Sequence, residues 1–172
     1  MIVLGIDPGL ANTGYGVVQR RGTRLVALAG GVIHTPAGVQ MERRLASIAT
    51  RVGELLSEHE CAAMALEELY FGQNARSAFA VGHARGVTML AAGERGVPCF
   101  SYTPQQVKAA VCGHGRAGKE QVARMVQTLL ALPQVPSPDH ASDALAVAVC
   151  HLNGTPLAGA VERAVAAAGV GR

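Results

Sequence analysis

The chain has no tryptophan, and only three tyrosines and three phenylalanines in 172 residues. Its interior must be packed with Ala, Val, Leu and Gly, and small side chains favour close contact between helix and sheet. About half the residues are apolar, enough for a sizeable core in one domain, or one domain with a tail. No apolar run is long and clean enough to cross a bilayer. Cys61, Cys99, Cys112 and Cys150 are scattered, with no C-x-x-C pair to suggest zinc or dithiol chemistry. No signal peptide is evident. These absences lead to the expectation of a reduced, cytoplasmic protein with no membrane segment.

Two charged residue types are also scarce. There are two lysines, Lys108 and Lys119, against thirteen arginines. There are three aspartates, Asp7, Asp139 and Asp143, beside nine glutamates. A GC-rich genome accounts for arginine over lysine as well as any structural demand does. The rarity of aspartate suggests positions kept for geometry. The formal charge of +3 permits a polyanionic partner without requiring one.

What is present reads as alternating elements. Residues 2–7 are an apolar strand that ends in a carboxylate, Asp7, before the Pro8-Gly9 turn. Residues 10–18 and 25–33 read as two further strands of an antiparallel meander. Apolar positions three and four apart mark an amphipathic helix over 39–58, with Met41, Leu45, Ile48, Val52, Leu55 and Leu56 inward. Residues 61–66 are wholly apolar, as in a strand buried on both faces, and they end in Glu67-Glu68. A helix over 75–95, with Asn74 as its cap, carries Phe79, Gly82, Gly86, Met89 and Leu90 on one face. Residues 97–102 form a last strand. Thr103-Pro104-Gln105-Gln106 opens a helix that runs to about 112, because Thr, Pro and Gln suit the cap, first and third positions. Further helices follow over 119–132 and 139–152. The expectation is one domain over 1–153 and a flexible C-terminal tail over 154–172, partly disordered or loosely helical. The fold is α/β, a mixed five-stranded sheet of three antiparallel and then parallel strands, with helices on both faces.

Chemistry gathers at strand ends. If the strands ending at Asp7 and Glu67 are parallel neighbours, their carboxylates lie side by side, where open α/β sheets keep their sites. The last helix brings Asp143, with His140 three and Asp139 four residues before it on the same face. Each group has a plainer use. Asp7 can cap the turn, Glu67 can be a solvated strand end, Asp139 can complement the helix dipole, and His140 can pack or cap. Together, oxygen ligands with one imidazole suit Mg²⁺ or Mn²⁺, and two ions would suit phosphodiester cleavage. Crowded like charges should raise one another's pKa and destabilise the metal-free protein.

Four motifs in order, GIDPG, ALEELYFGQNARSAFAVGHARG, TPQQVKAAVCGHGRAGKEQV and HASDALAVA, resemble the RuvC family of Holliday-junction resolvases, within the RNase H-like nucleases. The similarity covers nearly the whole chain. It implies an RNase H-like fold and a crossover junction endodeoxyribonuclease. Such an enzyme nicks two symmetrically placed strands of four-way junction DNA during recombination and repair, leaving ligatable 5′-phosphate and 3′-hydroxyl ends. By the same resemblance, Asp7, Glu67 and Asp143 match the catalytic, metal-holding carboxylates, and His140 takes the fourth position. Asp139 and Glu68 fall out of register. Lys108 and Lys119 match positions that face DNA phosphates, where Arg76, Arg85 and Arg116 could join them, and Tyr70 matches a junction-wedging residue. A solvated helix face is the alternative for Arg85. The resemblance further implies a homodimer and a branch-migration helicase partner. The small-residue face of the 75–95 helix is the candidate for part of the dimer interface. Two competing functions are a non-catalytic junction-binding protein and an actin-like phosphotransferase, whose first phosphate loop GIDPG also resembles.

Overall fold

The computed structural model of the chain describes residues 1–68 and 75–167. Among them the strands are β1 (Ile2–Asp7), β2 (Asn12–Arg21), β3 (Arg24–His34), β4 (Ala63–Glu67) and β5 (Cys99–Tyr102). The helices are α1 (Met41–Glu58), α2 (Ala75–Gly93), α3 (Pro104–Cys112), α4 (Lys119–Leu129) and α5 (Asp139–Ala167). The sheet runs β3-β2-β1-β4-β5. The first three strands form the antiparallel meander, and β4 and β5 add in parallel to β1. The sequence expectation of a mixed five-stranded sheet is met, with β1 and β4 as parallel neighbours.

Side-chain size separates the two faces of the sheet. Along β1 and β4, Leu4, Ile6, Met64 and Leu66 point to one side and pack with α1 and α2. On the other side stand Val3, Ala63 and Ala65, packed with α3, α4 and α5. The second face is lined with small residues, and α5 lies directly on it. A Cβ on Gly5 would fall 2.0 Å from the Ala144 carbonyl oxygen, and one on Gly14 equally close to that of His140. Only glycine admits the helix at this distance. Ala144, Val147, Ala148 and Val149 are all essentially inaccessible, so this part of α5 is buried on every side, between the sheet and α3 and α4.

Local signals set most of the boundaries. Thr103 and Gln106 form a complete capping box at the start of α3, and Gly113 ends that helix with a left-handed backbone. The Asn74 cap expected for α2 lies outside the described residues. Met41, expected inward, is 40% exposed in the first turn of α1. The largest difference lies at the end of the chain, where α5 continues to Ala167 rather than ending near residue 152. Pro156 has no N–H to give the Leu152 carbonyl four residues back. Arg20 supplies the donor: its Nη2 bonds the Leu152 carbonyl at 2.7 Å and Asn153 Oδ1 at 3.0 Å. The helix passes its proline with that carbonyl satisfied from β2.

Candidate active site

Strand parity places the first two carboxylates. Gly5 pairs with Ala65 across the parallel ladder. Two residues on, Asp7 and Glu67 occupy the ends of their strands on the face covered by α5. Glu67 is half-buried on that face and Glu68 is exposed.

The first turn of α5 supplies the other groups. Gly14 pairs with Asp7 across β1 and β2, and it is the residue on which the His140 backbone rests. His140 Nδ1 lies 2.7 Å from Asp7 Oδ2. One turn along, Asp143 is 28% exposed between the buried Ser142 and Ala144, and Lys119 Nζ stands 3.3 Å from it. The same ammonium is 3.2 Å from Asp139, which is 78% exposed. Asp139 therefore serves as an outer counter-ion for Lys119, in line with its being out of register.

Glu67 and Asp143 share a recess of about 250 Å³ with Lys108 and Lys119, floored by Val107, Val122 and Ala146. Its electrostatics follow from crowding. Burial first, then Asp7 and Asp143, push the Glu67 carboxyl up to about 7, against the pull of Lys108 and Lys119. Burial also raises Asp143, where Lys119 opposes the shift and Asp7 adds to it. Burial disfavours the Lys119 ammonium, but Asp143 and Asp139 more than compensate, and its pKa is raised. The expected mutual raising of carboxylate pKa values is present at Glu67 and Asp143.

Three carboxylates and an imidazole on one rim are a donor set for a hard divalent cation. Among the described residues, no three such side chains stand around a common point as ligands. Asp143 is turned to Lys119 and Asp7 to His140. The donor chemistry fits such an ion.

Lys108 and Lys119 both reach the recess. Arg116 is exposed on the loop between α3 and α4. Tyr70 lies outside the described residues, as does the side chain of Arg76. Arg85 is half-buried on α2. Its guanidinium turns to the sheet, where Nη1 donates to the Glu67 carbonyl at 2.7 Å and Nη2 to Ser101 Oγ at 2.5 Å. A second brace comes from Arg44, whose place in the amphipathic pattern of α1 reads as facing water but which is turned inward. Arg44, 9% exposed, donates from Nε to Thr35 Oγ1 at 3.0 Å and from Nη2 to the Thr35 carbonyl at 3.1 Å. The Thr35 hydroxyl in turn donates to the Leu10 carbonyl, in the turn just beyond Asp7. The only sequence signal for either arginine is a cation on a helix face that packs inward.

A mixed sheet in this order, with acidic groups at the ends of β1 and β4 beneath the start of a buried helix, is the RNase H-like fold, an architecture of nucleases. A family model described as crossover junction endodeoxyribonuclease RuvC matches residues 3–151, and the chain belongs to that family. Crossover junction endodeoxyribonuclease RuvC of Pelotomaculum thermopropionicum is 51% identical over 151 residues, covering 88% of this chain and 92% of that one. The Moorella thermoacetica protein of the same name is 53% identical over 156 residues, covering 91% and 93%. Among solved structures, T. thermophilus RuvC in complex with Holliday junction substrate superposes with a TM-score of 0.89. It has 41% identity and covers 92% of this chain and 96% of that one.

Proposed function

We propose that this protein is a metal-dependent, structure-selective endodeoxyribonuclease that resolves four-way DNA junctions by nicking two symmetrically placed strands. The ends are a 5′-phosphate and a 3′-hydroxyl, which a ligase can reseal. The observation that carries this is the convergence of Asp7, Glu67, His140 and Asp143 from three separate elements on one rim. Lys108 and Lys119 stand beside the rim. Relatives of similar length, named as crossover junction endodeoxyribonucleases, support it further.

Asp7, Glu67, Asp143 and His140 would hold two Mg²⁺ or Mn²⁺ ions. When bound, such ions supply Lewis-acid stabilisation of the phosphoryl oxygens and lower the pKa of water. With His140 Nδ1 engaged by Asp7, ligation or proton handling falls to Nε2. Lys108, Lys119, Arg76 and Arg116 would neutralise phosphates on either side of the scissile bond and fix its register. Tyr70 would stack on bases exposed at the junction centre. Two cuts in a two-fold substrate call for a homodimer. The face of α2 bearing Phe79, Met89 and Leu90 supports it, being exposed by 71%, 43% and 57%. Gly82 and Gly86 have open space above them. The nuclease domain would comprise 1–153, with 154–172 as an appended segment. A branch-migration helicase complex would be a further partner. No helix among the described residues is long and apolar enough to cross a membrane. A DNA-processing role would be carried out in the cytoplasm.

The test uses Asp7→Asn and Glu67→Gln. Both should bind a synthetic four-way junction with wild-type affinity and fail to nick it. Nicking at near wild-type rate by either would remove that residue from the site.

A further inference from the structure

Arg85 is the one cation described on α2 that spends its guanidinium on two sheet strands at once. Helix α2 packs on the face of the sheet opposite α5, through Ala84, Ala91 and Ala92. From there Arg85 bonds the Glu67 carbonyl, the last of β4, and the Ser101 hydroxyl on β5. Ser101 pairs with Leu66 in the parallel ladder, and Tyr102 with Glu67. The Tyr102 carbonyl also accepts from the Glu68 amide at 2.7 Å. Arg85 thus closes the ladder on the α2 side at the point where the strands end and ladder bonding would otherwise fray.

The Glu67 carboxylate lies on the opposite face, so the Arg85 charge does not neutralise it. Its effect passes through the backbone. A planar guanidinium suits this task, because its donors diverge in a fixed fork and can join two strands at set spacing. An ammonium can replace one arm at a time.

We propose that Arg85 is a positioning residue for Glu67, clamping the end of β4 to β5 so that the carboxylate stays at the rim it shares with Asp7 and Asp143. The inference rests on the assignment of Glu67 to the active site made above. Groups that orient metal ligands from outside the ligand shell cost about 10- to 100-fold in activity or metal affinity when removed.

The experiment compares Arg85→Ala, Arg85→Lys, Ser101→Ala and Glu67→Gln on a four-way junction, with affinity and single-turnover rate measured separately. Arg85→Ala should bind the junction within about twofold of wild type. It should cleave about 10- to 100-fold more slowly and need more Mg²⁺ for half-maximal rate. Arg85→Lys should fall between, and Ser101→Ala should show a smaller loss of the same kind. Amide exchange over 63–68 and 99–102 should quicken in Arg85→Ala without DNA or metal. If Arg85→Ala does not fold, Arg85→Lys is judged by the same measurements. A folded variant that cleaves at the wild-type rate overturns the inference. So does one that loses affinity and rate together with unchanged exchange, since that is a phosphate contact. An inert Glu67→Gln beside a fully active Arg85→Ala overturns the Arg85 inference alone. An active Glu67→Gln overturns the assignment of Glu67 and the Arg85 inference with it.

Discussion

Glu67 binds its proton near neutral pH because it is partly buried beside two other carboxylates. The unfolded chain would hold it at the ordinary glutamate value, near 4.5. Below that value both states are protonated and the site costs nothing. Between about 4.5 and 7 only the unfolded state ionises, so folding stability falls as pH rises through this window. Above it the cost is complete, with an upper bound of about 3 kcal/mol that solvent at the open side reduces. Glu67→Gln should therefore unfold at a higher temperature than wild type at pH 8 in the presence of a chelator. The two should converge below pH 4.5. A wild type as stable as the variant at pH 8 would show that the crowding is relieved by other means. At this scale the sequence was partly legible. Asp7 and Glu67 each end an apolar run and Asp143 stands among alanines, which makes their charge conspicuous, whereas His140, between Asp139 and Ala141, has no such setting. Arg85 and Arg44 do not stand out as braces, because an arginine turned inward on a helix is written like a solvated one. Its partner, a backbone carbonyl, has no letter in the sequence.

The site depends on how closely α5 approaches the sheet. Gly5 and Gly14 set that distance, and the His140 carbonyl occupies the space a side chain on Gly14 would need. Gly14→Ala must push the first turn of α5 away from β2, at a cost of about 3 kcal/mol by the scale of overpacked cores. Urea unfolding measures that cost. Cleavage should fall further than stability alone explains, because His140 moves with the helix. A variant as stable and active as wild type would contradict the packing described. Arg20→Ala should leave the Leu152 carbonyl without its donor, lowering stability by about 1 kcal/mol and raising amide exchange just beyond Asn153. Unchanged exchange there would mean that α5 passes Pro156 without help. The order of strands and helices was readable from periodicity and from caps such as Thr103–Gln106. The extension of α5 was legible only as the loosely helical alternative for the tail. Gly154 and Pro156 are ordinary stop signals, and the donor that offsets the proline comes from a strand 132 residues earlier.

At the level of the whole molecule, the fold collects acids from β1, β4 and α5 on one rim and leaves an apolar stripe of α2 on the outside. If that stripe joins two copies, Phe79→Glu with Leu90→Glu should yield a monomer by analytical ultracentrifugation. The monomer should keep a folded active site and nick junctions singly rather than in pairs. A dimer that persists in this variant would place the interface elsewhere. Four short motifs in order were enough to indicate the family, because each marks a segment that the fold brings to one rim.

The central claim, that this rim cuts junction DNA, is tested most directly by incubating wild type and Asp7→Asn with a synthetic four-way junction and a matched duplex. The metal is Mg²⁺ in one series and Mn²⁺ in the other. The account predicts paired, symmetrically placed nicks in the junction from the wild type, an intact duplex, and no nicks from Asp7→Asn although it binds the junction. An uncut junction under both metals, or equal cutting of duplex and junction, would contradict it.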